Sequence, residues 1–187
     1  FVETATPGLT VNASGWDGEP GGPGYPHFRW MRKYVGCFAT AAPGARILDF
    51  GCGAGWVGIE AAKRIEGSSL CSFDPSPEMV RITGENAQAA GIEWTGRTGF
   101  GEDPPFPAEG EEQFDLVISS GVVSFSPDVE RWMDGLAATV KPGGTLVVGD
   151  IHRDSRGFRG RRNAKALLPV REMNARTRDE IRAGLET

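Results

Sequence analysis

The sequence contains few residues of the kinds that build disulfide frameworks or metal sites. Its 187 residues include three cysteines and two histidines. Cys37, Cys52 and Cys71 are odd in number and lack C-x-x-C spacing, so neither a disulfide scaffold nor a zinc site is indicated. Free thiols fit a reducing compartment, and we therefore predict a cytoplasmic protein that holds no metal.

Long apolar runs are absent as well. No stretch reaches the roughly 18 consecutive apolar residues that a membrane-spanning helix needs, and the first residues lack the basic-then-apolar order of a secretory signal. Hydrophobic residues at 39% and charged residues at 24% are typical of globular proteins, which argues against a disordered chain or a coiled coil. These features predict a soluble, unexported chain with the size of one domain.

Positive charge is scarce in most of the chain. Residues 1–150 hold 10 Lys and Arg against 20 Asp and Glu, whereas residues 151–187 hold 10 against 5, so the two parts carry −10 and +5. An acidic body of this kind is not suited to coating nucleic acid. The basic stretch 153–165 has two interpretations: a contact to RNA or another anion, or a solvated segment that lies against the acidic body.

Short apolar runs alternate with helical periodicity along the middle of the chain. This alternation predicts crossover units, and hence an α/β fold: a doubly wound, mostly parallel sheet with helices on both faces. The predicted strands are 46–50, 70–73, 92–97, 114–119 and 145–148, with a turn at 142–144, and the predicted helices are 28–41, 56–65, 77–90, 128–140 and 177–185. The glycine- and proline-rich residues 1–27 are predicted to form an N-terminal arm or lid.

A glycine-rich loop follows the first predicted strand. Asp49 precedes Gly51, Gly53 and Gly55, so the spacing is acid-x-G-x-G-x-G. Glycines allow the backbone to approach a ligand closely and to turn directly into a helix. A dinucleotide fingerprint has its third glycine one residue later, and its pyrophosphate would be repelled by Asp49. The loop therefore favours a nucleoside-like ligand that carries positive charge rather than phosphate.

With these residues the sequence resembles the class I S-adenosylmethionine-dependent methyltransferases, in particular those called methyltransferase type 11. The glycine loop matches the first motif of that family, and Asp74, 25 positions after Asp49, matches the acid at the end of the second strand. Two further stretches match the run through the fourth and fifth strands, 114–117 and 136–144. The resemblance covers about residues 34–150.

The resemblance implies a set of residues around S-adenosylmethionine. Asp74 would accept hydrogen bonds from the ribose hydroxyls, Pro75 and Met79 would flank the adenine, and aromatic residues of the arm would lie near the methionine moiety. The full set is Asp49, Gly51, Cys52, Gly53, Gly55, Asp74, Pro75, Met79, Gly101, Glu102, Ser119, Trp16 and Tyr25. Residues 28–150 would form the cofactor-binding core, followed by a basic segment and C-terminal helix at 151–187.

The sequence departs from the family pattern at several points. Phe100 stands where relatives often carry the acid that binds the adenine amino group, so Glu102 or the backbone at Gly101 is a candidate replacement. Ser124 and Phe125 occupy the place of a frequent histidine pair. The Pro-Pro-aromatic signature of amino-methylating relatives is also absent after the fourth strand, which disfavours methylation of a nucleobase amino group.

The acceptor side is much less defined by the sequence. Methyl transfer is an in-line displacement at an activated carbon, so alignment matters most and a dedicated base is optional. The catalytic residues are unknown, with His152 and His27 as candidates and a surface imidazole as the alternative for each.

We predict a methyltransferase that acts on a small molecule. The alternatives are a non-catalytic methyltransferase-like protein that binds the cofactor or a partner, and an RNA methyltransferase that uses the basic stretch. Asp49 and the glycine spacing count against a nicotinamide-dependent oxidoreductase. In relatives two further strands complete the sheet, and the sequence ends at Thr187 before them. We therefore expect a fragment, or a fifth-strand edge that a dimer partner or the basic segment covers.

Overall fold

The core of the protein is a five-stranded parallel sheet. A computed structural model describes residues 35–36, 38–150, 154 and 177–185. The strands are β1 (Arg46–Phe50), β2 (Ser69–Asp74), β3 (Trp94–Thr98), β4 (Phe114–Ser120) and β5 (Val140–Gly149). They lie in the order β3-β2-β1-β4-β5, and each pair is parallel. This arrangement confirms the predicted doubly wound α/β fold.

Three of the four α-helices that lie wholly within the described ranges begin at residues whose side chains accept hydrogen bonds from free backbone N–H groups, whereas the helix that follows Gly55 begins without such a cap. These α-helices are α1 (Trp56–Arg64), α2 (Pro77–Ala89), α3 (Val129–Thr139) and α4 (Arg178–Leu185), and a short 3-10 helix covers Val123–Phe125. The Ser76 hydroxyl caps α2, which has proline at its first turn, and the Asp128 carboxylate caps α3. Thr177 and Glu180 form a reciprocal capping box at the start of α4.

Apolar side chains on the two faces of the sheet form two separate core clusters. On one face, Ile47 of β1 and Leu70 of β2 pack with Ile59 of α1 and with α2. On the other face, Phe50 of β1 packs with Trp132 and other residues of α3, and Ile181 of α4 joins this cluster. Alternate residues of each strand serve opposite faces, so both faces are covered by helices, as predicted.

Two predicted strands were clearly misplaced, whereas the other strands and α-helices named above agree with the prediction to within one residue at each end. β3 runs over Trp94–Thr98 instead of 92–97. β5 begins at Val140, before the predicted turn, because Val140 pairs with Phe114 and the pairing resumes at Thr145 opposite Leu116. The residues between them form an irregularity within the strand, with Gly143 at a φ of 79°.

No helix within the described ranges is long and apolar enough to cross a membrane. The predicted first helix at 28–41 lies mostly outside those ranges, which include its helical residues 35, 36 and 38.

Candidate functional site

The loop from Gly51 to Gly55 lies where β1 ends, beside the point at which the strand order reverses from β2 to β4. The φ angles of Gly51 and Gly55 are both 79°, in the left-handed region where side chains are strained. A Cβ on Gly51 would also lie 2.6 Å from Val122 Cγ2. Ligands of open parallel sheets bind at this switch point, beyond the carboxyl ends of the strands, so the loop marks the candidate site.

Asp74, the last residue of β2, connects the glycine loop to the start of α2. Its Oδ2 accepts a hydrogen bond from Gly53 N (3.0 Å), and its Oδ1 accepts one from Ser76 N (2.9 Å). Burial raises the pKa of Asp74 to about 6, although both backbone donors act in the opposite direction. An ionised carboxylate has about four lone-pair sites, so Asp74 retains acceptor capacity for further donors.

Asp49 lies beneath the loop rather than on the surface of a cleft. Its side chain is on the α1 face of the sheet and is 2% exposed. Asp49 Oδ2 accepts a hydrogen bond from Gly58 N in the first turn of α1 (3.0 Å). Burial raises the pKa of Asp49 to about 7, the Gly58 bond lowers it, and the charge of Asp74 raises it further. The two acids thus give this end of the sheet a negative potential when both are ionised.

The raised pKa of Asp49 predicts a pH-dependent effect of Asp49→Asn. Because the folded pKa is about 7 against an ordinary 3.8, the folded protein binds a proton between these values that the unfolded chain releases. The stability contributed by Asp49 therefore falls as the pH rises through this range. The neutral amide of asparagine does not titrate and so avoids this loss. As the pH is raised from about 5 to 8, we therefore expect the free energy of unfolding of the variant to rise by on the order of 2 kcal/mol relative to that of the parent. Urea unfolding at each pH measures this difference.

Asp115→Asn provides the control for that measurement. The Arg46 backbone N–H and Lys141 lower the pKa of Asp115, so this group is already ionised throughout the tested range. Its stability difference from the parent should be independent of pH there. An equally flat difference for Asp49→Asn would contradict the assignment of a buried, protonatable Asp49.

An apolar cleft opens beside the glycine loop. It is a small cleft of about 50 Å³ that opens to solvent. The described lining residues are Phe50, Gly51, Phe73, Pro75, Phe100, Gly101, Glu102, Val122, Phe125, Ser126 and Trp132. Among them Glu102 alone carries a charge. Aromatic walls with few polar groups are suited to a flat heterocycle.

Glu102 joins the loop after β3 to the segment after β4. The Ser126 hydroxyl donates to Glu102 Oε1 at 2.5 Å. Gly101 packs against the Trp132 indole, since a Cβ there would lie 2.4 Å from Trp132 Nε1. Gly101 and Glu102, the two residues predicted to replace the missing adenine-binding acid, line the cleft together with Phe100.

The remaining predicted site residues within the described ranges have structural contacts around the cleft. Ser119 is buried, and its hydroxyl donates to Phe50 O (3.1 Å). Met79 is buried in the first turn of α2, where its N–H donates to Ser76 Oγ (3.4 Å). Cys52 lies inside the loop, and burial raises the pKa of its thiol, which opposes a role as a nucleophile. Pro75 is the member of this group that lines the cleft.

Several predicted features lie outside the described residues. These are the arm 1–27 with Trp16, Tyr25 and His27, His152, and the basic stretch 153–165 apart from residue 154. They remain predictions.

Sequence reasoning did not identify several residues that the fold brings to this site. Thr83 and Asn86 of α2 donate to Gly53 O (2.7 Å) and Ala54 O (2.9 Å) of the glycine loop. Trp132 forms part of the cleft from α3. The three-residue spacing of Thr83 and Asn86 places two polar side chains on one face of a helix, which was the available signal for them.

A family model for a methyltransferase domain matches residues 27–184 of the chain. Ubiquinone biosynthesis O-methyltransferase of Rhizobium etli is 36% identical over 115 residues, which are 62% of this chain and 44% of that protein. An uncharacterized protein of Mycobacterium tuberculosis is 33% identical over 123 residues, 66% of this chain and 42% of that protein. The matched region thus spans less than half the length of these curated relatives.

Solved structures with the same fold include proteins of different chemistry. A SAM-dependent methyltransferase of Thermotoga maritima, named as a possible histamine N-methyltransferase, has a TM-score of 0.66 at 21% identity, over 86% of this chain and 69% of that one. The cyclase SpnF has a TM-score of 0.69 at 18% identity, over 99% of this chain and 68% of that one. At these identities the likeness concerns the fold, and the chemistry must be argued from the site.

Proposed function

The chain belongs to the methyltransferase domain family, and from this premise we propose that it transfers the methyl group of S-adenosylmethionine to a small-molecule acceptor. The observation that carries the proposal is the position of Asp74 between the glycine loop and the apolar cleft. A carboxylate beside an aromatic-walled slot matches a nucleoside, which combines vicinal hydroxyls with a flat base.

The residues of the site fit S-adenosylmethionine in both shape and charge. The two oxygens of Asp74 each hold one backbone N–H, and their remaining lone pairs would accept the two ribose hydroxyls. Pro75 and the aromatic side chains would contact the adenine, with Glu102 at the polar end of the cleft. Asp49 and Asp74 would favour a cationic ligand and disfavour a phosphate.

We propose the described part of the predicted set as the cofactor-binding residues. It comprises Asp49, Gly51, Cys52, Gly53, Gly55, Asp74, Pro75, Met79, Gly101, Glu102 and Ser119. Asp49, Cys52, Met79 and Ser119 are buried, so we assign them to the support of the loop and cleft, apart from any backbone contact. Trp16 and Tyr25 keep their predicted place near the methionine moiety.

The cofactor, when bound, supplies a methyl group on a sulfonium, whose carbon is already activated toward a nucleophile. The chain's own contribution is therefore to hold the two reactants in line and to exclude water. The glycine loop and Asp74 would fix the position of the nucleoside, and the cleft walls would remove it from solvent. No dedicated base is required for this role, and the catalytic assignment of His27 and His152 stays a prediction.

A hydroxyl oxygen is the acceptor we propose first. The support is the O-methyltransferase from Rhizobium etli, which is 36% identical over the shared region. The non-catalytic and RNA-directed alternatives are not favoured by these relatives. Residues 28–150 would form the catalytic core of a cytoplasmic protein, with 1–27 as its lid. A dimer that covers the edge of β5 is also a prediction.

Two measurements on the full chain test the proposal. Calorimetry should show binding of S-adenosylhomocysteine, with a dissociation constant in the micromolar range typical of substrates and products, on the order of 1 μM to 1 mM. Transfer of labelled methyl from S-adenosylmethionine should then be assayed on phenols and catechols, on small amines and on RNA. Absence of binding would remove the cofactor assignment. Binding without transfer to any acceptor would favour the non-catalytic alternative, and transfer to RNA alone would replace the small-molecule assignment.

A further inference from the structure

Two side chains of α2 hold the backbone of the glycine loop from the side. The Thr83 hydroxyl donates to Gly53 O at 2.7 Å, and the Asn86 amide donates to Ala54 O at 2.9 Å. The two residues are three positions apart, which places them on one face of the helix. Two consecutive carbonyls of the loop are thus bonded to α2 through side chains that the cofactor does not need to touch.

Thr83 also makes close van der Waals contact with the glycine loop. Thr83 is fully buried, and a Cβ on Gly55 would lie 2.5 Å from Thr83 Cγ2. The methyl group therefore occupies the space above Gly55, while the hydroxyl reaches Gly53. Threonine at this position supplies shape and a donor together, which neither valine nor serine does.

The hydrogen bonds to α2 fix the orientation of the peptide groups in the glycine loop. The C=O and N–H of a trans peptide point in opposite directions. The bond from Thr83 to Gly53 O therefore directs the Ala54 N–H away from α2. On the other side of Gly53, its own N–H donates to Asp74 Oδ2 at 3.0 Å. Both backbone polar groups of Gly53 are therefore hydrogen-bonded: its N–H to Asp74, just before α2, and its C=O to Thr83, in the middle of α2.

We propose that Thr83 and Asn86 are positioning residues that set the affinity of the site for its nucleoside ligand by fixing the peptides of the glycine loop. This inference rests on the proposed function, since it assigns the loop to S-adenosylmethionine. Both residues act through the loop and not through the ligand itself.

The consequence for binding follows from the loss of the stronger of two donors to a loop carbonyl. In Thr83→Val the side chain keeps its volume, but the partly buried Gly53 O loses its hydroxyl donor and keeps only the weak donor of the Cys52 thiol, at 3.6 Å. The loop without ligand lowers this cost by rotating the Gly53–Ala54 peptide, and ligand binding must reverse that rotation. We expect S-adenosylhomocysteine to bind about tenfold more weakly, which is the effect of losing one hydrogen bond of ordinary strength.

The test compares variants with the same chemistry at different places. Thr139→Val is the matched control: Thr139 is also fully buried in a helix, and its hydroxyl also donates to a backbone carbonyl, that of Leu136, at 2.6 Å. It lies at the end of α3, away from the loop. Each variant is measured by calorimetry with S-adenosylhomocysteine and by thermal unfolding.

The expected results separate positioning from general stability. Thr83→Val and Asn86→Leu should weaken binding, whereas Thr139→Val should lower the melting temperature with affinity within about twofold of the parent. Thr83→Ser, which restores the donor, should recover most of the affinity lost in Thr83→Val. Unchanged affinity in Thr83→Val, or equal weakening in Thr139→Val, would overturn the inference alone. Failure of the unsubstituted protein to bind would overturn the proposed function and this inference with it.

Discussion

Replacement of Asp74 by asparagine is expected to weaken S-adenosylhomocysteine binding on the order of 100-fold. The two carboxylate oxygens hold different donors, Gly53 N on Oδ2 and Ser76 N on Oδ1. An asparagine amide has one oxygen and one NH₂, so either orientation places NH₂ against a backbone N–H. The loop and the start of α2 would both shift, and one of the two acceptor oxygens for the ribose hydroxyls would be lost together with the negative charge. Calorimetry measures the change directly.

Asp115→Asn is the matched control for this variant. Asp115 also uses its two oxygens separately, with Oδ2 accepting from Arg46 N at 2.8 Å and Oδ1 accepting from Lys141 Nζ at 3.1 Å. It stands near the start of β4, at the opposite edge of the sheet from the cleft. Its substitution should disturb similar hydrogen bonds while leaving affinity within about twofold of the parent. Equal affinities of the two variants would contradict the role of Asp74.

Removal of the Trp132 side chain is expected to cause the largest loss of stability. Trp132 is 1% exposed and meets Phe50 edge-to-face, with ring centroids 5.2 Å apart. Trp132→Ala leaves a cavity between α3 and the sheet, and we expect the free energy of unfolding to fall by about 3–5 kcal/mol. Because the indole also lines the cleft, ligand affinity should fall too. Urea unfolding and calorimetry measure the two effects.

Two further variants separate the effect of Trp132 on ligand affinity from its effect on stability. Trp132→Phe keeps an aromatic ring and should remain folded with a smaller loss of stability, so its affinity is measurable even where Trp132→Ala unfolds. Trp94→Ala removes a half-buried indole on the other face, whose Nε1 donates to Ser72 Oγ at 2.7 Å. It should lower stability without lowering affinity. A stability loss below about 1 kcal/mol in Trp132→Ala would contradict the packing described for α3.

The fold was largely predictable because its signals are local. Periodicity defined the strands and helices, and the caps at Ser76 and Asp128 and the box at Thr177 stand directly before the helices they begin. The early start of β5 was not predictable in this way. Its first residue, Val140, becomes a strand residue through pairing with Phe114, and Pro142-Gly143-Gly144 carries a strong turn signal that conceals this pairing.

The candidate site also has parts that local sequence signals predict and parts that depend on tertiary packing. The glycine spacing and Asp74 could be recognised from the sequence because each lies at a strand end. The sequence did not indicate that the Asp49 carboxylate would be buried under α1, because its contact to Gly58 depends on how the helix packs on the strand. The bonds of Thr83 and Asn86 to the loop join residues about 30 positions apart, and no local pattern reports which carbonyl a helix side chain will reach.

The pairing of β1 with β4 has a consequence for the order in which the site is completed. The cleft takes Phe73 and Pro75 from the first half of the chain and Val122 and Trp132 from the second. A growing chain that has been synthesised through β3 therefore carries the glycine loop and Asp74 but only one wall of the cleft. The proposed nucleoside site would be complete only when the second half docks, and a ligand held between the halves would add its binding free energy to their association.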